Sequence, residues 1–272
     1  MLCEYSDSSD DECDDDDLKP PTEKKARLVE KLPVPSQIQS MFDNKDVHNN
    51  RVPADDPLKH EHRVRRFPHV RGNWATVLFA ELKHHLIEDL RTLQNKLFEA
   101  LERSREKEED LAVKICTELH LSVSRTVAFQ LQWIELFLRK VTKEIRLKVS
   151  KFSLYWLPEL KIFLNDDKSR TFVGLCVRND SELRKVVKII DAELEELNLE
   201  PFYDPPHFHV SLLWCLGDKE EELSGKLADM NKALSVCMED GTLEDGGYSQ
   251  TVDRIICKSG NKTFYVGIDS NQ

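Results

Sequence analysis

His120-Leu121-Ser122 and His209-Val210-Ser211 are two copies of one short pattern, each set in a run where polar and aliphatic residues alternate. Successive side chains of an extended strand point to opposite faces. As strands, these runs place His120, Ser122 and Ser124 on one face and Leu119, Leu121 and Val123 on the other. The second run sets His209 and Ser211 against Val210 and Leu212 in the same way. The chain must therefore build a sheet that packs one face and presents a histidine beside a hydroxyl twice on the other, once in each half.

The surrounding pattern supplies the rest of such a sheet. Gly72 to Phe79 reads as a first buried strand. Residues 81–110 carry a leucine stripe (Leu82, Leu86, Leu90, Leu93, Leu97, Leu101) at helical spacing. Lys114 to Val127 alternates as a strand with the first motif, and Phe129 to Arg139 reads as a loop or a short helix over the sheet. Phe152 to Ile162 and Thr171 to Val177 flank the polar turn Asn165–Ser169 as a hairpin. Ser181 to Leu197 predicts a helix capped by Asp180 or Ser181. The second motif strand follows, then a helix over Lys219 to Met238. Thr251 to Cys257 and Thr263 to Ile268 read as a closing hairpin across Ser259-Gly260-Asn261. The order is a loose duplication in which each half ends in its own hairpin. The expected class is α+β, with two pseudo-symmetric lobes, each an antiparallel sheet flanked by helices, around a central groove carrying both motifs.

Charge is informative through its distribution. Residues 1–23 hold ten acidic residues against Lys19 alone, so most of the net charge of −11 over 272 residues lies there. Residues 1–58 are expected to be a disordered acidic tail, and 59–272 the folded domain. Lys24-Lys25-Ala26-Arg27 reads as a weak nuclear-import patch or as solvated charge. Lys59, Arg63, Arg65, Arg66 and Arg71 read as phosphate contacts or as a solvated lead-in to the first strand. No run is long and apolar enough for a membrane span, and the start has no signal-peptide pattern. The seven cysteines contain no Cys-x-x-Cys, which argues for reduced thiols and against a structural zinc. No cluster has metal-ligand spacing, and His84 and His85 point apart on their helix. Neither metal nor cofactor is expected.

Two imidazoles and two hydroxyls on one face suit phosphodiester cleavage in RNA. The ribose 2′-OH attacks its own 3′-phosphate once a base takes its proton, and the 5′-oxygen leaves once an acid protonates it. Histidine serves in both roles because its ordinary pKa of about 6.5 lies near neutral pH. The serine hydroxyls suit the charge that builds on the non-bridging oxygens. Which histidine is base and which acid stays open in the sequence. Phe202, Tyr203, His207 and Phe208 crowd the approach to the second motif. Tyr203 reads as a base-stacking face or as the cap of a proline-rich loop, and the two phenylalanines as core.

Paired His-x-Ser strands in a two-lobed chain resemble the two-histidine (2H) phosphoesterase superfamily. The flanks Arg66–Thr76, Glu118–Ser124, Phe208–Leu212 and Cys257–Lys262 resemble the U6 small nuclear RNA 3′-end phosphodiesterase family over roughly residues 60–270. That resemblance implies catalysis by His120 and His209, and phosphate contacts from Ser122 and Ser211. It implies a nucleotide site drawn from Tyr203, Asn165, Leu121, His207, Phe208 and Val210, with Tyr203 stacked on a terminal base. It also implies a metal-independent 3′-to-5′ exoribonuclease that trims terminal uridines and adenosines and leaves a 2′,3′-cyclic phosphate. Such an enzyme would be nuclear and would support splicing, with single-stranded RNA as partner; a monomer is expected. Two other readings stand beside it: a 2H cyclic phosphodiesterase acting on small nucleotides, and a non-catalytic RNA-binding protein whose histidines only contact phosphate.

Overall fold

The computed structural model describes residues 67, 70–103, 111–239 and 249–269. The acidic tail, the Lys24–Arg27 patch and the basic stretch ahead of Val70 lie outside them.

The strand expected at Gly72–Phe79 is β1 (Asn73–Ala80), and its alternation holds: Thr76, Leu78 and Ala80 are buried while Ala75 is exposed. The leucine stripe becomes α1 (His84–Arg103), which buries Leu86, Leu90, Leu93, Leu97 and Leu101. The run expected as one strand over Lys114–Val127 is three short pieces instead: β2 (Lys114–Ile115), β3 (Leu121–Ser122) and β4 (Val127–Gln130). It breaks because it serves two partners. β2 pairs with a strand of the second half, and β4 pairs with β1.

At one break, Val123 and Ser124 both donate their backbone N–H to the carbonyl of Leu78. The Ser124 hydroxyl accepts from the Leu78 N–H at 2.8 Å and donates to the Arg125 carbonyl. Ser124 is thus a buried backbone partner, and the alternation that put it beside Ser122 ends at this bulge. At the other break, the buried Gln94 of α1 donates to the carbonyls of Cys116 and Leu212 at 2.9 and 2.8 Å, filling the gap where β2 and β3 part.

Phe129–Arg139 is neither loop nor short helix. After β4 the chain forms α2 (Leu131–Lys148), held by a stripe of Ile134, Phe137, Leu138, Val141 and Ile145. β5 (Phe152–Leu154) splits from β6 (Trp156–Leu164), and β7 (Arg170–Val177) closes the expected hairpin. α3 (Ser181–Glu196) starts without a side-chain cap, because the Asp180 carboxylate turns to Arg184. β8 (His209–Leu216), α4 (Glu220–Glu239), β9 (Gln250–Val252), β10 (Arg254–Ser259) and β11 (Lys262–Gly267) complete the described chain. Five cysteines (116, 176, 215, 237 and 257) are free.

The α+β class and the two lobes are as expected, but the hairpins are exchanged. The main sheet runs β11-β10-β1-β3-β8-β7-β6. The hairpin β6–β7, which follows the first motif in sequence, pairs with β8 of the second. The closing hairpin β10–β11 pairs with β1 of the first half. Each lobe therefore takes its outer strands from the other half of the chain. The lobes join where β3 meets β8. α1 and α4 pack together, against β8 and β6 respectively, while α2 packs against β4, β11 and α3.

Candidate functional site

The junction of the lobes is also where the two motifs meet. β3 and β8 run antiparallel with Leu121 opposite Val210, the middle residues of the two His-x-Ser triplets. Leu121 and Val210 are fully buried beneath the sheet. Extending that register sets His120 across from Ser211 and Ser122 across from His209, all four toward the opposite face. Diagonal neighbours in such a pair stand about 7–8 Å apart, which leaves room for a phosphate between two imidazoles. The local two-fold passes between Leu121 and Val210.

Both histidines are held in the same way. The Nδ1–H of His120 donates to the Glu118 carbonyl at 3.2 Å, and that of His209 to the His207 carbonyl at 2.9 Å. A carbonyl only accepts, so the Nδ1 atoms carry the protons and the Nε2 atoms remain to face a ligand. Each ring is backed by a phenylalanine. Phe79 lies 5.5 Å from His120 in a tilted contact, and Phe163 stacks on His209 at 3.7 Å with 9° between the planes. Gly174, beside His209 on β7, makes that stack possible: a Cβ there would sit 2.9 Å from His209 Cδ2 and 3.0 Å from Phe163 Cε2.

Burial pushes the His209 imidazole down to about 4, helped by the nearby His120 and His207 and opposed by its bond to the His207 carbonyl. Burial also lowers His120. There the backbone bond to Glu118 and the Glu118 charge oppose it, and the Lys258 charge adds to it. The Lys258 ammonium is itself 3.1 Å from the Glu118 carboxylate. Both imidazoles are therefore neutral in the free protein at pH 7, and His120 is the easier of the two to protonate.

The remaining expected residues fall into two groups. Tyr203 is exposed at 41 %, next to buried Phe202 and Phe208, which agrees with the reading of those phenylalanines as core. His207 is exposed, and its carbonyl orients His209. The side chains of Leu121, Val210 and Phe208 are buried, so contact with a ligand from these three runs through their main chain. Asn165 uses its amide inside its own turn, donating to Ser169 Oγ and accepting from the Arg170 N–H. Its neighbour Asp166 reaches across to Arg125 of the first lobe at 2.6 Å.

Sequence reasoning missed Phe163, Gly174, Gln94 and Arg125. A glycine inside the apolar run Thr171–Val177 was the one available signal, since a strand glycine marks a bulge or a close approach.

Comparison with known proteins fits this geometry. The model of the HVSL family, described as an uncharacterised conserved protein, matches residues 32–267, and its label is the one-letter reading of His209–Leu212. The chain is 33% identical over 267 residues to U6 snRNA phosphodiesterase 1 of Xenopus laevis, covering 97% of this chain and 98% of that one. It is 34% identical over 236 residues to the Mus musculus protein of the same name, covering 86% and 82%. The chain belongs to the U6 snRNA phosphodiesterase 1 family. A solved structure of Kluyveromyces marxianus Usb1 with uridine monophosphate shares the fold at a TM-score of 0.51 and 12% identity, over 72% of this chain and 97% of that one. Within the phosphodiesterase family fold, the His-x-Ser strands lie at the seam of the lobes, and among the described residues no helix is long and apolar enough to cross a membrane.

Proposed function

We propose that this chain is a metal-independent RNA phosphodiesterase that trims the 3′ end of U6 small nuclear RNA, in the nucleus and in support of splicing. The observation that carries the chemistry is the antiparallel pairing of the two triplets, which turns two weak motifs into one four-residue site. The curated relatives carry the substrate.

His209, the more firmly neutral imidazole, takes the proton of the 2′-OH beside the scissile phosphate. The 2′-oxygen attacks phosphorus and the 5′-oxygen leaves with a proton from His120. The product keeps a 2′,3′-cyclic phosphate. Ser122 and Ser211 donate hydrogen bonds to the non-bridging oxygens as their charge grows. Tyr203 stacks on a base, with Asn165, His207 and the main chain of Leu121, Phe208 and Val210 bordering the nucleotide. Both imidazoles come from one chain, so a monomer suffices to build the site.

The test is to incubate the protein with an RNA ending in several uridines, with and without EDTA, and weigh the product termini. Stepwise loss from the 3′ end to a cyclic phosphate, unchanged by EDTA, is expected. Turnover of free cyclic nucleotides with no trimming of RNA would favour the small-nucleotide reading instead.

The lowered imidazoles set the pH dependence. kcat/KM reports the acid and base of the free protein, and for a coupled pair its two limbs belong to the pair. Activity falls at low pH as the second imidazole protonates, and at high pH as the last protonated imidazole loses its proton. His209 lies at about 4 and His120 below 6.5. The bell is therefore expected to peak on the acid side of 6.5, with kcat/KM on a short RNA falling about tenfold per unit above neutrality. A peak at pH 8 would contradict the burial described here.

A further inference from the structure

Arg125 follows the Ser124 bulge, close behind the first motif, and the chemistry above gives it no task. Its guanidinium carbon lies 3.8 Å from the centre of the Tyr203 ring. Its Nη1 lies 2.6 Å from the Asp166 carboxylate and 3.8 Å from that of Glu200. One side chain of the first lobe thus touches the β6–β7 turn and the loop ahead of β8, both of the second lobe. The side chain is 18% exposed, and its Nε is buried with no hydrogen-bond partner among the described residues. An arginine that only stapled loops together would be expected to satisfy its buried donors. Here the stack on Tyr203 and the bond to Asp166 set the position, and one donor is left out.

We infer that Arg125 is a positioning residue for nucleobase binding: it covers one face of Tyr203 and leaves the other as the platform on which the base stacks. The inference rests on the base-stacking role proposed above for Tyr203. Asp166 fixes the guanidinium from the side, so the ring is held between a cation and the incoming base. A planar guanidinium covers the ring by lying flat on it, which a compact ammonium cannot do. The charge near Asp166 and Glu200 matters as well, so a lysine, which keeps the charge, separates the two effects.

The test compares wild type, Arg125→Lys and Arg125→Ala, each first checked for an unchanged melting temperature. Binding of uridine monophosphate is measured against binding of ribose 5-phosphate, which has no base. For Arg125→Lys, which keeps the charge but loses the flat stack on the ring, uridine monophosphate is expected to bind about tenfold more weakly, while ribose phosphate is unaffected. On RNA the same variant is expected to raise KM and leave kcat close to wild type. Equal loss for both ligands, or a lysine variant that binds like wild type, overturns the inference. So does a wild type that binds the two ligands equally, since Tyr203 then stacks on nothing. RNA trimming by the wild type is scored separately, so failure of the platform and failure of the proposed function are told apart.

Discussion

Replacing either His120 or His209 with alanine is expected to slow RNA trimming by about 10²–10⁴-fold, the usual share of one positioned acid or base. The melting temperature should fall modestly for His209→Ala, which loses the Phe163 stack, and little for His120→Ala. The two imidazoles stand on the groove face and bond only to backbone carbonyls, whereas the packing of β3 and β8 is done by Leu121 and Val210 beneath them. A 5′-bridging phosphorothiolate RNA separates the two roles. Its sulfur leaving group departs without a proton, so the variant lacking the acid recovers most of its rate and the variant lacking the base does not. With His120 as acid, His120→Ala is the one rescued. Rescue of His209→Ala would reverse the assignment, and wild-type trimming by either alanine variant would sink the mechanism.

Gly174→Ala is the second change with a large expected effect, and it touches no reacting atom. The added Cβ would lie 2.9 Å from His209 Cδ2 and 3.0 to 3.2 Å from two carbons of Phe163. Real Cβ atoms do not sit that close, so the imidazole or the phenylalanine must give way. Overpacking of this kind destabilises by about 1–3 kcal/mol. The catalytic loss should be greater in proportion, because a displacement near 1 Å costs about 100-fold in rate. Kinetics on RNA together with thermal melting check this: a kcat reduced by one to two orders of magnitude in a folded protein is expected. Wild-type kcat would mean that the Phe163 stack does not set the position of His209.

The histidine pair was legible in the sequence because strand alternation is a local property. The polar and apolar positions around residues 120 and 209 announced which side chains share a face, and the structure keeps them there. What ties the two motifs together, the single pair Leu121–Val210, is a register between distant strands and leaves no local trace. Ser124 shows how local reasoning overreaches: its spacing matched Ser122, but a bulge turned its hydroxyl onto the Leu78 N–H. α2 was under-read for a different reason. Its stripe from Ile134 to Ile145 keeps helical spacing well past Arg139, across the charged residues between. Phe163 and Arg125 act through tertiary contacts alone, with nothing in their neighbourhoods to distinguish them from other core and surface residues.

The exchange of hairpins has a consequence for the order in which the protein comes into being. On the ribosome, β1 and the His120 motif emerge early, but β10, which pairs with one edge of β1, and β11 beyond it are almost the last to be made. The His209 lobe, by contrast, has its β6–β7 hairpin ready before its own motif appears. The second lobe can thus assemble while the first waits with an open sheet edge, and the chain holds a finished groove only after nearly all of it has been synthesised.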